Sequence, residues 1–208
     1  MSANPHAGRP LRRAGVAAGQ APRALVLLHG RGGSAADILG LGGHLAVPGF
    51  ALLAPEAAGN SWYPHRFIEP TARNEPWLSG ALAAVEAAVA ATGLPDDKVA
   101  LLGFSQGACL ALEYAWRSGR RFGAVIGLSG GLIGDQLPPV TPGARFDGVP
   151  VLLGCSRQDG HIPLSRVLET EARFKAEGAT VTTRLYEGGH HGVTEDEVIL
   201  ARQLLAGI

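Results

Sequence analysis

Cysteine and methionine are scarce in this chain of 208 residues, with two and one respectively, and aromatic side chains make up only 6% of it. Cys109 and Cys155 form no C-x-x-C pair and show no metal-ligand spacing, which excludes a small disulfide-stapled scaffold and predicts free buried thiols. No apolar stretch reaches the ~18 residues of a membrane-spanning helix, and no apolar secretory core precedes Ala24. Together these absences predict a cytoplasmic protein without stable membrane insertion. A formal net charge of zero removes any general attraction to nucleic acid or acidic lipid. There is no helical H-x-x-x-H pair, so a metal site built from His161, His190, His191 and Asp159 has no support, and no cofactor is expected.

What is abundant is apolar: 46% hydrophobic residues suffice for one sizeable core, and one domain is expected over 23–208. The charge is unevenly spread. The first 36 residues hold five arginines and no acid, while the remainder has 13 basic against 18 acidic residues. No aromatics are interleaved with those arginines, so a nucleic-acid arm is disfavoured. Residues 1–22, rich in Gly, Ala, Pro and Arg, read as a flexible leader in which Leu11 to Ala17 at most adds an edge strand.

The rest of the chain is arranged around LLGFSQGACLAL, residues 101–112. β-Formers from Val99 to Phe104 meet Ser105, and Gln106 to Trp116 carries apolar residues at helical spacing. Composition alone yields about 0.2 chance matches to G-x-S-x-G. The flanking strand and helix are therefore what give the motif meaning. Such a turn holds its serine in a strained conformation, and its glycines let strand and helix approach closely. Ser105 is the candidate nucleophile, at a helix N-terminus where the amide of Gln106 can receive an oxyanion.

Before this centre, ALVLLHG is a continuous apolar run of the kind a doubly covered parallel strand requires. The turn His29 to Ser34 follows it, and Ala35 to Leu45 reads as a helix. G-R-G-G lacks both the Walker lysine and the G-x-G-x-x-G spacing, so the turn fits an oxyanion loop, with the Arg31 amide as second donor, better than a nucleotide cradle. Phe50 to Leu53 is a short strand. The long loop from Pro55 to Pro76 holds Trp62 and Tyr63, which are expected to wall an acyl pocket or, alternatively, to pack beneath the loop. Helix is expected from Glu75 to Ala91, strand over Gly123 to Leu128, and a surface excursion from Gln136 to Gly148. Val149 to Leu153 and Thr180 to Tyr186 read as strands around a helix from Pro163 to Lys175. Thr194 and Glu197 form a capping box for a final helix whose Val198, Ile199, Leu204, Leu205 and Ile208 face the sheet. Strand and helix thus alternate about six times, the pattern of a mostly parallel sheet covered on both faces. Every polar candidate lies at a strand's carboxyl end, where such sheets gather their sites.

A serine nucleophile needs a base and an orienting acid. The chain offers Ser105, then Asp159, then His190 or His191, each after a separate strand, in the chain order of α/β-hydrolases. His29 suits bracing of the oxyanion turn. His161, two residues from Asp159, is too close to it to act as base while Asp159 orients.

The segments LLHGRGGSAADIL, APEAAGNSWYP, NEPWLSGAL, LGFSQGACLALEYA, GLSGGLIG, GCSRQDGHIPLSRV and YEGGHHGVTEDE together resemble the phospholipase/carboxylesterase branch of the α/β-hydrolases, which also includes acyl-protein thioesterases. The resemblance runs from Leu25 to Leu205. It implies Ser105 as nucleophile, Asp159 as triad acid, and the amides of Arg31 and Gln106 as oxyanion donors. In similar sequences the histidine stands five after Tyr or Phe, two before an aliphatic residue and six before Glu; His191 meets all three through Tyr186, Val193 and Glu197. His190 stands where glycine is usual. The expected fold is a compact single-domain α/β-hydrolase without a separate lid domain, acting on small to medium carboxylic esters, lysophospholipids among them, through an acyl-enzyme. Thioester hydrolysis on the same triad is the nearest rival. Dienelactone-type chemistry more often places Cys at the Ser105 position, and a non-catalytic small-molecule receptor on this scaffold usually gives up a triad member. Similar proteins are often homodimers, an arrangement open to this chain.

Overall fold

The computed structural model describes residues 4–45, 48–140 and 142–208. A seven-stranded sheet runs through it in the order β1-β3-β2-β4-β5-β6-β7. Its strands are β1 (Leu11–Gly15), β2 (Arg23–Leu28), β3 (Phe50–Pro55), β4 (Val99–Phe104), β5 (Ala124–Leu128), β6 (Pro150–Ser156) and β7 (Thr180–Tyr186). Only the β1–β3 pair is antiparallel. Parallel neighbours need crossover connections, and a helix supplies each of these except the one between β5 and β6, segment 129–149, whose described residues form no helix. These helices are α1 (Ala35–Leu45), α2 (Trp77–Ala90), α3 (Gln106–Ser118), α4 (Leu164–Ala176) and α5 (Glu195–Ala206).

Alternation within the strands divides the core into two layers. Leu25, Leu27, Leu102 and Ile126 point to the face covered by α1 and α5, where Ile38, Leu45, Ala201 and Leu205 meet them. Val26, Leu101, Val125 and Leu153 point to the opposite face, under Val85 of α2, Leu110 of α3 and Phe174 of α4. With both faces covered, β2 and β4 to β6 must be apolar almost throughout, which is why they appear in the sequence as unbroken hydrophobic runs.

Several expectations are corrected. Ile199 does not face the sheet: it is exposed, because at 100° per residue it falls nearly opposite the buried Ala201. Of the two readings of residues 1–22, flexible leader or edge strand, the structure has the strand, β1 at the sheet edge, and from Asn4 onward the segment is part of the fold; Met1 to Ala3 lie outside the described residues. Beyond β1, the buried imidazole of His6 supplies the reason. Its Nδ1 accepts from the Ala58 N–H (3.0 Å) and its Nε2 donates to the Trp62 carbonyl (2.9 Å). The ring also packs against the indoles of Trp62 and Trp77. Burial lowers its pKa, in keeping with the neutral tautomer those two bonds require. The excursion from Gln136 to Gly148, of which Thr141 lies outside the described residues, is not wholly superficial: Phe146 is buried against Trp116 and Phe174.

Candidate active site

At the carboxyl end of β4 the chain turns directly into α3, and Ser105 occupies the turn with φ 54° and ψ −118°. Positive φ is costly for a side-chain-bearing residue and persists only where surrounding packing enforces it. The two glycines show how. A Cβ on Gly103 would lie 2.1 Å from the Gly107 carbonyl oxygen, and one on Gly107 would lie 2.1 Å from the Leu28 carbonyl oxygen. Only glycine lets β4, α3 and β2 close on one another here, and that closure lifts the Ser105 hydroxyl above the sheet.

Two distant loops meet this hydroxyl. The loop after β7 brings the Nε2 of His191 to 2.9 Å from Ser105 Oγ, and the other ring nitrogen, Nδ1, lies 2.7 Å from Oδ2 of Asp159 in the loop after β6. The Asp159 side chain has no exposed surface, while that of His191 retains 21%. Oδ1 of Asp159 accepts from the amides of His161 (2.8 Å) and Ile162 (3.1 Å). Burial alone raises the pKa of this carboxyl, but the hydrogen bonds from His191 and the two amides outweigh it and hold Asp159 below the ordinary carboxylate range. Such a carboxylate fixes imidazole with its proton on Nδ1 and leaves Nε2 free to accept from a hydroxyl.

The neighbouring histidine faces elsewhere. His190 is exposed, its ring lies over Gly192, where a Cβ would approach Nε2 to 2.4 Å, and its carbonyl accepts from Ser156 Oγ (2.6 Å). The loop is pinned at its far end by the Thr194–Glu197 capping box.

The turn after β2 closes the other side. A Cβ on Gly30 would stand 3.4 Å from that of Ser105, which places the Gly30–Arg31 peptide beside the serine. The N–H groups of Arg31 and Gln106 donate to no acceptor among the described residues. His29 braces this turn: its Nδ1 donates to the Gly30 carbonyl (2.8 Å) and its Nε2 accepts from the Ala57 N–H (3.2 Å). Burial lowers its pKa, consistent with a neutral ring.

The side chains of Arg31 and Gln106 do something the sequence does not announce. The Arg31 guanidinium donates to the carbonyls of Tyr63 (2.9 Å), Pro64 (3.0 Å) and His65 (3.1 Å). Gln106 donates to the Tyr63 carbonyl (2.8 Å) and accepts from the Trp62 N–H (2.9 Å). The same two residues whose amides stand free beside Ser105 thus clamp the loop that walls the cavity.

That cavity, about 250 Å3, opens over Ser105 and His191. Tyr63 lines it, as do Arg31 and Gln106, but Trp62 does not. Trp62 is fully buried, donates its indole N–H to the His29 carbonyl (2.9 Å) and packs on the His29 ring at 5.0 Å. Trp62 sits in a bend of the loop, and although both aromatic side chains are buried, only Tyr63 borders the cavity. Trp62→Ala is accordingly expected to cost roughly 3–5 kcal/mol of stability, read as a fall in denaturation midpoint. An unchanged midpoint with an altered acyl preference would return Trp62 to the pocket.

Further lining residues escape the sequence reading: Arg66, Phe67, Cys109, His161 and Ile162. A signal existed for Cys109, which stands one helical turn after Ser105 and so shares its face of α3. Burial pushes its thiol up to about 12, so it remains protonated. No group of three or more His, Cys, Asp or Glu able to hold a metal occurs among the described residues.

The phospholipase/carboxylesterase family model matches residues 16–206. The chain belongs to that family. It is therefore a serine hydrolase of the carboxylic ester type on the α/β-hydrolase fold. A phospholipase/carboxylesterase from Dyadobacter fermentans is 38% identical, with 96% of this chain and 97% of that one covered and a TM-score of 0.89. A carboxylesterase from Mesorhizobium loti is 25% identical, covering 96% and 95%, with a TM-score of 0.71. Arabidopsis thaliana SOBER1 shares the fold at 18% identity, covering 88% and 97%, with a TM-score of 0.70. No curated protein matches the chain. No helix among the described residues of this family member is long and apolar enough to cross a membrane.

Proposed function

We propose that this family member hydrolyses short carboxylic esters through an acyl-enzyme on Ser105, with His191 as base and then acid and Asp159 as its orienting carboxylate. The observation that carries the reading is the single imidazole spanning 2.9 Å to the serine and 2.7 Å to the aspartate. Nε2 of His191 takes the hydroxyl proton as Oγ attacks the ester carbonyl, and the imidazolium so formed is stabilised by Asp159. The tetrahedral oxyanion is received by the amides of Arg31 and Gln106, which have no other acceptor to give up. Collapse expels the alcohol with the proton from His191. Water, activated by the same ring, then attacks the acyl carbonyl and releases the acid and free Ser105.

Small acyl groups follow from the space available. A cavity of about 250 Å3 is below the usual span of ligand pockets, about 300–1,000 Å3, and Tyr63, Phe67 and Cys109 bound it. The test is a p-nitrophenyl ester series from acetate to palmitate, with matched acyl thioesters beside it. Expected is a maximum in kcat/KM at six acyl carbons or fewer and a fall of at least about tenfold by twelve, since each misfitted methylene costs about 1–3 kcal/mol. A maximum at long chains would overturn the short-ester reading, and higher values for the thioesters would move the activity to the thioesterase side on the same residues.

A further inference from the structure

The cavity above Ser105 carries positive charge that no acid answers. Arg31 and Arg66 line it, and no aspartate or glutamate does. The nearby carboxylates are engaged by other groups: Asp159 with His191 and two amides, Glu69 with the Arg73 side chain and the backbone N–H of Arg66, Glu113 with Arg117 and the Ile133 N–H, Glu56 with Arg12, and Asp37 with Ser34. The Arg31 guanidinium is held by three carbonyls, which fix its position without cancelling its charge. The Arg66 guanidinium makes no hydrogen bond or ion pair among the described residues. Because the whole chain is formally neutral, this is a property of the site and not of the surface at large. An exposed planar guanidinium with free donors, bordering a small cavity, is suited to receive a carboxylate or phosphate through two parallel hydrogen bonds.

Building on the esterase reading above, we propose that the site selects esters bearing an anionic group, carboxylate or phosphate, a few bonds from the scissile carbonyl, and that Arg66 is the residue that receives it. The fixed charge of Arg31 strengthens the field into which the anion enters. The cavity's volume, about 250 Å3, limits how far the anion can stand from the carbonyl that Ser105 attacks.

Matched ester pairs test the proposal. On the acyl side, p-nitrophenyl hexanoate is compared with mono(p-nitrophenyl) adipate, which has the same chain length and a terminal carboxylate. On the leaving-group side, methyl p-butyryloxybenzoate is compared with p-butyryloxybenzoate and with p-butyryloxyphenyl phosphate. At low salt the anionic member of at least one pair is expected to show kcat/KM roughly tenfold or more above its neutral partner, a preference that shrinks as salt screens the exposed guanidinium. The pair that shows it tells which side of the ester carries the anion and whether carboxylate or phosphate is preferred. Arg66→Met is expected to bring that ratio close to one, Arg66→Lys to keep part of it, and Arg66→Glu to push it below one. A merely structural role would move both members of a pair together and leave the ratio alone. Preference for the neutral member in every pair, or a ratio that Arg66→Met does not change, overturns the proposal. Failure of the esterase reading is distinct, since then wild-type protein hydrolyses neither member.

Discussion

Ser105→Ala is expected to abolish hydrolysis of every ester the wild type accepts, with loss on the order of 10⁶ in kcat, and to abolish stoichiometric labelling by a fluorophosphonate probe. The substitution removes one oxygen and its hydrogen bond to His191 but keeps the backbone bonds of the turn: the N–H donates to Leu128 (2.9 Å) and the carbonyl accepts from Cys109 (3.1 Å). Alanine adopts the same strained turn, so the thermal midpoint is expected to stay within a few degrees. Labelling of another residue, or activity surviving in a folded variant, would remove the serine from the mechanism. The other candidate nucleophile lining the cavity, Cys109, is poorly suited to replace it, because burial keeps its thiol protonated.

The second large effect separates adjacent histidines. His191→Ala is expected to lose roughly four to six orders of magnitude in turnover, and His190→Ala about tenfold or less. Only His191 reaches both Ser105 and Asp159, whereas His190 engages its loop through its carbonyl, which alanine retains. Asp159→Asn should resemble the first of these, losing about 10⁴, because an amide can donate to Nδ1 and leave the proton on Nε2, the wrong tautomer for a base. Steady-state rates on one short p-nitrophenyl ester, with circular dichroism to verify folding, decide the ranking. If His190→Ala proved the more damaging, the hydrogen-bonded arrangement seen here would not be the reacting one. Equal mild losses would leave Ser105 without a base.

The clamp on the Tyr63 carbonyl links these chemical groups to substrate choice. Arg31 and Gln106 place their amides beside the serine and, through their side chains, hold the segment that bounds the cavity. A change in the position of Tyr63 therefore reaches the oxyanion turn through hydrogen bonds already present. That is why the loop is an ordered wall although it carries only short 3-10 turns, at Ala58–Asn60 and Thr71–Asn74, rather than a longer element.

What could be read from the residues alone was whatever depends on local pattern. Continuous apolar runs at β2, β4 and β5 announce strands covered on both faces, and the crossover helices then impose parallel order. Gly103 and Gly107 announce a close approach, because no other residue is tolerated where a Cβ would meet backbone at 2.1 Å. The residues alone leave His190 and His191 open, and the resemblance to the family, through the spacing from Tyr186, Val193 and Glu197, points to His191. Other features depend on which distant segments share a space, and no local pattern encodes that. Trp62 and Tyr63 are both aromatic and neighbours in sequence, yet one packs in the core against His29 and the other borders the cavity. His6 belongs to a segment of low-complexity appearance, and only its hydrogen bonds to Ala58 and Trp62, 52 and 56 residues away, make it structural. The Arg66 guanidinium has no partner among the described residues, because Glu69, three residues on, is taken by the Arg73 side chain and by the backbone N–H of Arg66. Periodicity and turn chemistry are properties of short stretches, so the sequence determined the sheet, the strained serine and the order of the reacting groups. Burial and charge balance are sums over neighbours from the whole chain, so only the tertiary structure decided what lines the site and which charges it leaves unanswered.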